Sequence, residues 1–100
     1  MIEHVVLIKW KEATSQEVKD RLLHELGELK DKILGIVSYR VGHNFSERSL
    51  GYDAAVTSTF VDLPSLQAYG PHPEHQKIAK QLGENSVSIL VVDFEPLPAQ

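Results

Sequence analysis

The sequence predicts an α+β fold with the element order β-α-β-β-α-β. Three observations carry that prediction. Four short runs rich in Val, Ile and aromatic residues, at 2–10, 36–44, 52–61 and 86–94, read as strands. Apolar residues recur at spacings of three and four in the stretches that follow the first and third strands. One hundred residues with 42% hydrophobic content make one small globular domain.

Each element has its own local reason. IEHVVLIKW, 2–10, is short and Val/Ile-rich. Thr14 with Glu17 three residues later fits a capping box, so the first helix is expected to begin near Thr14 or Ser15. Val18, Leu22, Leu26, Leu29 and Ile33 form its apolar stripe, and Leu34-Gly35 ends it. IVSYRVGHN is the second strand, with Gly42 marking a bulge or a close approach. FSERSLG is a polar loop. In YDAAVTSTFV, the third strand, Ala54, Val56, Ser58 and Phe60 share one face. Asp62 is placed to cap a short helix through Leu66 to Tyr69, which Gly70-Pro71 breaks because the residue before a proline avoids helical angles. Pro73 suits the first turn of a further helix, expected to reach Leu82 and close over 83–85. SVSILVVDF is the fourth strand. The domain is placed at 1–95, with a proline-containing tail at 96–100.

That order is the ferredoxin-like, split βαβ arrangement: one antiparallel sheet with its helices on one face. The first and fourth strands are nevertheless apolar on both faces. Val6 and Ile8 alternate with Val5 and Leu7, and Ile89 and Val91 with Leu90 and Val92. Two helices cover one face only, so the other needs a second cover. A second copy related by two-fold symmetry is the simplest one, and a homodimer is expected.

Composition narrows the partners. Ten basic residues against fourteen acidic ones give a net charge of −4, and no basic cluster stands out, so nucleic acid is not expected. Apolar runs such as Ile89–Val92 fall far below the ~20 residues that span a bilayer. The opening MIEHVVLIKW carries Glu3 and His4 where a signal peptide has a basic region. With no cysteine, neither a disulfide framework nor a thiolate metal site is available. The expectation is a cytoplasmic domain without membrane or nucleic-acid partner. No glycine-rich phosphate loop, nucleophile-elbow serine or paired-carboxylate motif is present.

AYGPHPEHQ, 68–76, is the segment that packing alone explains least. On a helix starting at Pro73, His75 shares a face with Ile78, Ala79 and Leu82, opposite Glu74, Gln76, Lys77, Lys80 and Gln81. Its imidazole therefore points inward, in a first turn whose amide dipoles disfavour an added proton. Burial acts in the same direction. Such a ring is suited to be a base or acceptor, or else a core histidine satisfied by one hydrogen bond. Tyr69, three residues after Leu66, lies on the buried side of the preceding short helix, and its hydroxyl is in reach of the His75 ring across the break. His72 stays open between helix-start acceptor, exposed residue and second site residue. His4 alternates with Val6, Ile8 and Trp10 and faces apolar surroundings. His24 and His43 read as surface residues. His72-x-x-His75 has the spacing of metal ligands, but His72 precedes the helix and the two rings do not share a face, so no metal is expected.

HVVLIKWK, GIVSYRVGHN, GYDAAVTSTF and YGPHPEH together resemble the stress-responsive A/B barrel (Dabb) family over about residues 2 to 95. The resemblance implies a dimeric α+β barrel in which two ferredoxin-like subunits pair through their sheets. Among similar proteins is olivetolic acid cyclase, which closes a linear polyketide by an aldol-type reaction without cofactor. By that likeness Tyr69 and His75 are the expected catalytic pair, His75 taking a proton from the carbon nucleophile and Tyr69 holding the carbonyl oxygen or orienting the imidazole. His4, Val6, Ile8, Leu23, Val56 and His72 are the expected substrate-binding residues, for a small apolar carbonyl-bearing ligand and with no cofactor. Two features differ from the family pattern: Gly70-Pro71 replaces larger apolar residues, and Leu23 and Leu26 replace aromatic ones. A non-catalytic role resting on the dimer or a higher assembly is the other expectation.

Overall fold

A computed structural model describes residues 1–99. Its elements are β1 (Ile2–Trp10), α1 (Gln16–Glu28), a 3-10 turn (Leu29–Asp31), β2 (Ile36–His43), β3 (Ala54–Phe60), α2 (Leu63–Tyr69), α3 (Pro73–Asn85) and β4 (Ser86–Phe94). The strands form one sheet in the order β2-β3-β1-β4, every neighbouring pair antiparallel. This is the ferredoxin-like α+β fold.

The register decides which side chains meet beneath the helices. His4 lies opposite Ser58 and Asp93, Val6 opposite Val56 and Val91, and Ile8 opposite Ala54 and Ile89. Tyr39 on β2 also pairs with Ser58. Because side chains alternate along a strand, these residues all project from the helix-covered face. There Ile8, Trp10, Ala54, Val56 and Phe60 join Leu22, Leu26 and Leu29 of α1 and its 3-10 turn in the buried core.

Three local features depart from the sequence expectation. The cap of α1 is Ser15, whose Oγ accepts the Val18 N–H at 3.2 Å. Thr14 instead donates its hydroxyl to the Asn85 carbonyl at 3.1 Å, tying the start of α1 to the end of α3. α1 also stops at Glu28, yet Leu29 and Ile33 stay buried because the 3-10 turn keeps them on the core side. The irregularity in β2 falls between Ile36 and Ser38, while Gly42 pairs in register with Ala55, and a Cβ there would meet nothing within 4 Å.

The segment leading to α2 is fixed from both sides. The Asp62 carboxylate accepts the Ser65 N–H at 2.9 Å, the expected N-cap, and the helix begins at Leu63, directly after it. Gly35 has φ of +92°, and a Cβ there would lie 2.5 Å from the Ser65 Cβ. Only glycine lets the turn into β2 pass that closely under α2. α2 is thereby seated on the sheet with Tyr69 facing inward.

The opposite face of the sheet is bare. Val5, Leu7, Ala55, Leu90, Val92 and Phe94 share it, and β4 is an edge strand whose Leu90 and Val92 are 46% and 56% exposed. The face that the sequence left without cover is thus uncovered within one chain. No helix among the described residues is long and apolar enough to cross a membrane. Residues Pro96–Ala99 of the expected tail carry no regular structure, and Gln100 lies outside the described residues.

Candidate active site

Between the sheet and α2, α3 lies a cavity of about 480 Å³. Its walls are mostly apolar: Val6, Val56, Ile89 and Val91 from the strands, with Leu26, Leu63, Leu66 and Leu82 from the helices. The polar side chains are few: His4, Asp93, Tyr39, Gln67, Tyr69 and His75. An apolar chamber with a few placed polar groups is the usual form of a small-molecule site.

His75 sits in the first turn of α3, and its Nδ1 is 2.9 Å from the Gly70 carbonyl. A carbonyl only accepts, so Nδ1 carries the proton and the neutral ring offers Nε2 as its acceptor. Burial pushes this imidazole below its ordinary range. The Gly70 hydrogen bond pulls the other way, and repulsion from His4 and His72 adds to the burial effect. The ring is therefore neutral, with one lone pair free, at neutral pH.

Tyr69 ends α2 with 3% exposure. Its ring packs at 4.4 Å from His75, 5.0 Å from Phe60 and 5.8 Å from His4, centroid to centroid. The hydroxyl does not reach His75, as the sequence had suggested. It lies 2.8 Å from the hydroxyl of Tyr39, while the two rings of the Tyr69–His75 pair lie against each other. Burial raises both phenols above the ordinary range, so both are neutral O–H groups. His4 closes the far side, its Nδ1 against the Asp93 carboxylate.

The cavity brings together His4, Val6, Val56, Tyr69 and His75. Three expected substrate-binding residues stand apart from it. Ile8 is fully buried, one pleat (about 7 Å) further along β1, where the core closes over it. Leu23 is also core, and one turn on it is Leu26 of α1 that reaches the cavity. His72 is the N-cap of α3, with its Nδ1 accepting the Glu74 N–H at 3.1 Å. The two surface histidines are exposed, His24 near Glu28 and His43 bonded to Asp20 at 2.6 Å. No group of three or more potential metal ligands is clustered among the described residues.

Sequence reasoning missed Tyr39 and Asp93. The period of two was there to find them: Tyr39 is in step with Val41 on β2, and Asp93 with Ile89 and Val91 on β4.

A stability test follows from His75. Because its folded form resists the proton, the unfolded chain binds more protons just below the ordinary imidazole value of 6.5. Stability should be fully present above about 6.5 and fall as pH drops through the lower folded value. Asp20 and Asp62 are held below their ordinary 3.8, so their effects begin only at more acid pH. Urea midpoints between pH 7 and 5 should decline in the wild-type protein and flatten in His75→Gln.

Fold and cavity define a ferredoxin-like α+β protein with a largely apolar cavity between sheet and helices. The sequence profile of the Stress Responsive A/B Barrel Domain, Dabb, matches residues 2–96, and the chain belongs to that family. The Arabidopsis thaliana stress-response A/B barrel domain-containing protein HS1 is 27% identical over 97 residues, spanning 95% of this chain and 89% of that protein. A dimeric protein of unknown function and ferredoxin-like fold from Bacteroides fragilis is 31% identical, with TM-score 0.77 and 94% of each chain covered. The hydroxynitrile lyase of Passiflora edulis superposes with TM-score 0.87 at 21% identity, covering 97% of this chain and 96% of that one, which is a likeness of fold.

Proposed function

We propose that this chain, as a homodimer, binds an apolar carbonyl compound in the cavity and moves a proton on the carbon beside the carbonyl. The observation that carries the reading is the His75 ring. Its Nδ1–H is committed to Gly70, its Nε2 is free, and the Tyr69 phenol lies against it in an apolar chamber. His75 Nε2 takes the proton as general base, and the Tyr69 O–H holds the oxygen on which negative charge grows. The carbanion so formed can close on a second carbonyl, the aldol-type step of olivetolic acid cyclase, which the Tyr-x-x-His-Pro-x-His segment resembles. Reversed, the same proton transfers cleave a carbon–carbon bond, and a lyase on this fold exists in Passiflora edulis. The reading needs no cofactor. Residues 1–95 act as the domain, with 96–100 as its tail.

The bare sheet face favours a second reading, in which the assembly itself is the function and the histidines serve only the core. An NMR titration of the five histidines with 4-phenylbutan-2-one separates the two. The proposed function expects the His75 and His4 ring signals to move with ligand while those of His24 and His43 stay still. If none moves at millimolar ketone, the cavity reading fails and the assembly reading takes its place.

A further inference from the structure

Tyr39 is a polar group at the cavity that the proposed chemistry does not yet use, and it is the one hydrogen-bonded to Tyr69. It reaches in from β2, the strand farthest from β4, and it places an oxygen 2.8 Å from that of Tyr69. A phenol has one proton to donate, so the pair has two arrangements. If Tyr69 donates to Tyr39, its own proton is spent and it offers a ligand only lone pairs. If Tyr39 donates to Tyr69, the Tyr69 proton is free to turn into the cavity.

The position of the base decides between them. A carbonyl oxygen and the carbon beside its carbonyl are neighbours within one small group. The donor that holds the oxygen must therefore lie next to the base that takes the proton. Tyr69 packs at 4.4 Å from His75, whereas the Tyr39 ring packs on Tyr69, their centroids 6.5 Å apart, and shares no ring contact with His75 among the described residues. We propose that Tyr39 is a positioning residue: its hydroxyl donates to the Tyr69 oxygen, so that the Tyr69 proton is presented to the ligand's oxygen. This rests on the proposed carbonyl-binding function and adds to it a two-phenol relay. As negative charge grows on the ligand oxygen, Tyr69 donates more strongly and its own oxygen draws more on Tyr39. Neither proton leaves its phenol. Chained hydrogen bonds in a dry site polarise and strengthen each other in this way. The burial of both phenols fits the role, since each stays protonated and able to donate.

The experiment uses 4-nitrophenol, an apolar ring whose oxygen can be neutral or anionic, with absorbance that reports which form is bound. The Tyr39→Phe, Tyr69→Phe and double variants keep every ring, and thermal melting confirms that each is folded. His4, Asp93 and His75 surround the cavity in all four proteins, so their influence cancels in the comparison. The wild-type protein should favour the bound anion. Tyr39→Phe should cut that preference about 3- to 10-fold while leaving neutral binding within about twofold, and Tyr69→Phe should cut it about 10- to 100-fold. The double variant should be no worse than Tyr69→Phe, because Tyr39 acts only through Tyr69. Equal loss for neutral and anionic probe in Tyr39→Phe, or additive losses in the double variant, overturns the relay while the cavity reading stands. If the wild-type protein takes up no probe, the cavity reading itself fails and the relay with it.

Discussion

His75→Ala should lower proton exchange at the carbon beside a bound ketone's carbonyl by at least about 100-fold, the range expected on losing a general base. The same substitution should cost little stability. In many proteins, deleting a buried donor leaves its acceptor orphaned, at about 1–3 kcal/mol. Here the acceptor is the Gly70 carbonyl, which also accepts the Gln76 side-chain amide at 2.7 Å. It keeps a partner when the imidazole goes. The ring is only half-buried, so the void left behind opens toward the cavity and not into the core. A loss of about 1 kcal/mol, roughly 4–8 °C in Tm for a domain of this size, is expected. The opposite pattern, unchanged exchange with a loss of 2–3 kcal/mol, would make His75 a core histidine.

The second large effect concerns the bare sheet face. Leu90 lies opposite Leu7 on that face and is 46% exposed in the single chain. Its neighbours Ile89 and Val91 point the other way, into the cavity wall. Leu90→Arg therefore places a charge between two paired sheets without touching the site. Burying an unpaired charge costs several kcal/mol, so the dimer should weaken by more than about 100-fold. Sedimentation at micromolar protein should show a dimer for the wild-type chain and a monomer for the variant. The Bacteroides fragilis relative of this fold is dimeric, which supports the expectation. A wild-type monomer at that concentration would contradict the pairing.

Much of the fold could be read from residues because each boundary has a local chemical mark. β4 occupies the expected 86–94, set off by the helix end before it and the prolines after it. Asp62 caps α2, and the Gly70-Pro71 break separates α2 from α3 as the backbone rules require. Where local marks had two uses, the reading slipped. Thr14 with Glu17 looks like a capping box, but a threonine hydroxyl can equally bond a distant carbonyl, and Asn85 supplies one. α1 was expected to run to Leu34 because Leu29 and Ile33 continue its stripe, which a 3-10 turn serves just as well.

The site was legible where its residues share a segment and obscure where they do not. Tyr69 and His75 are close in sequence, on either side of one break. Asp93 enters the cavity through strand register, opposite His4, which is 89 positions away, and Tyr39 through the packing of β2 under α2, beside Tyr69, 30 positions away. The local period of two gives the face of each residue but not its distant partner. Ile8 and Leu23 show the converse: facing the right way on an element is not enough when the chamber occupies only one end of it.

The measurement that tests the central claim most directly is deuterium exchange at the C3 methylene of 4-phenylbutan-2-one, the one beside the carbonyl, followed by NMR in D₂O with the wild-type protein. Exchange that saturates with ketone, exceeds the buffer rate and vanishes in His75→Ala is the predicted result. Ketone that binds in the cavity yet exchanges no faster than in buffer would contradict it.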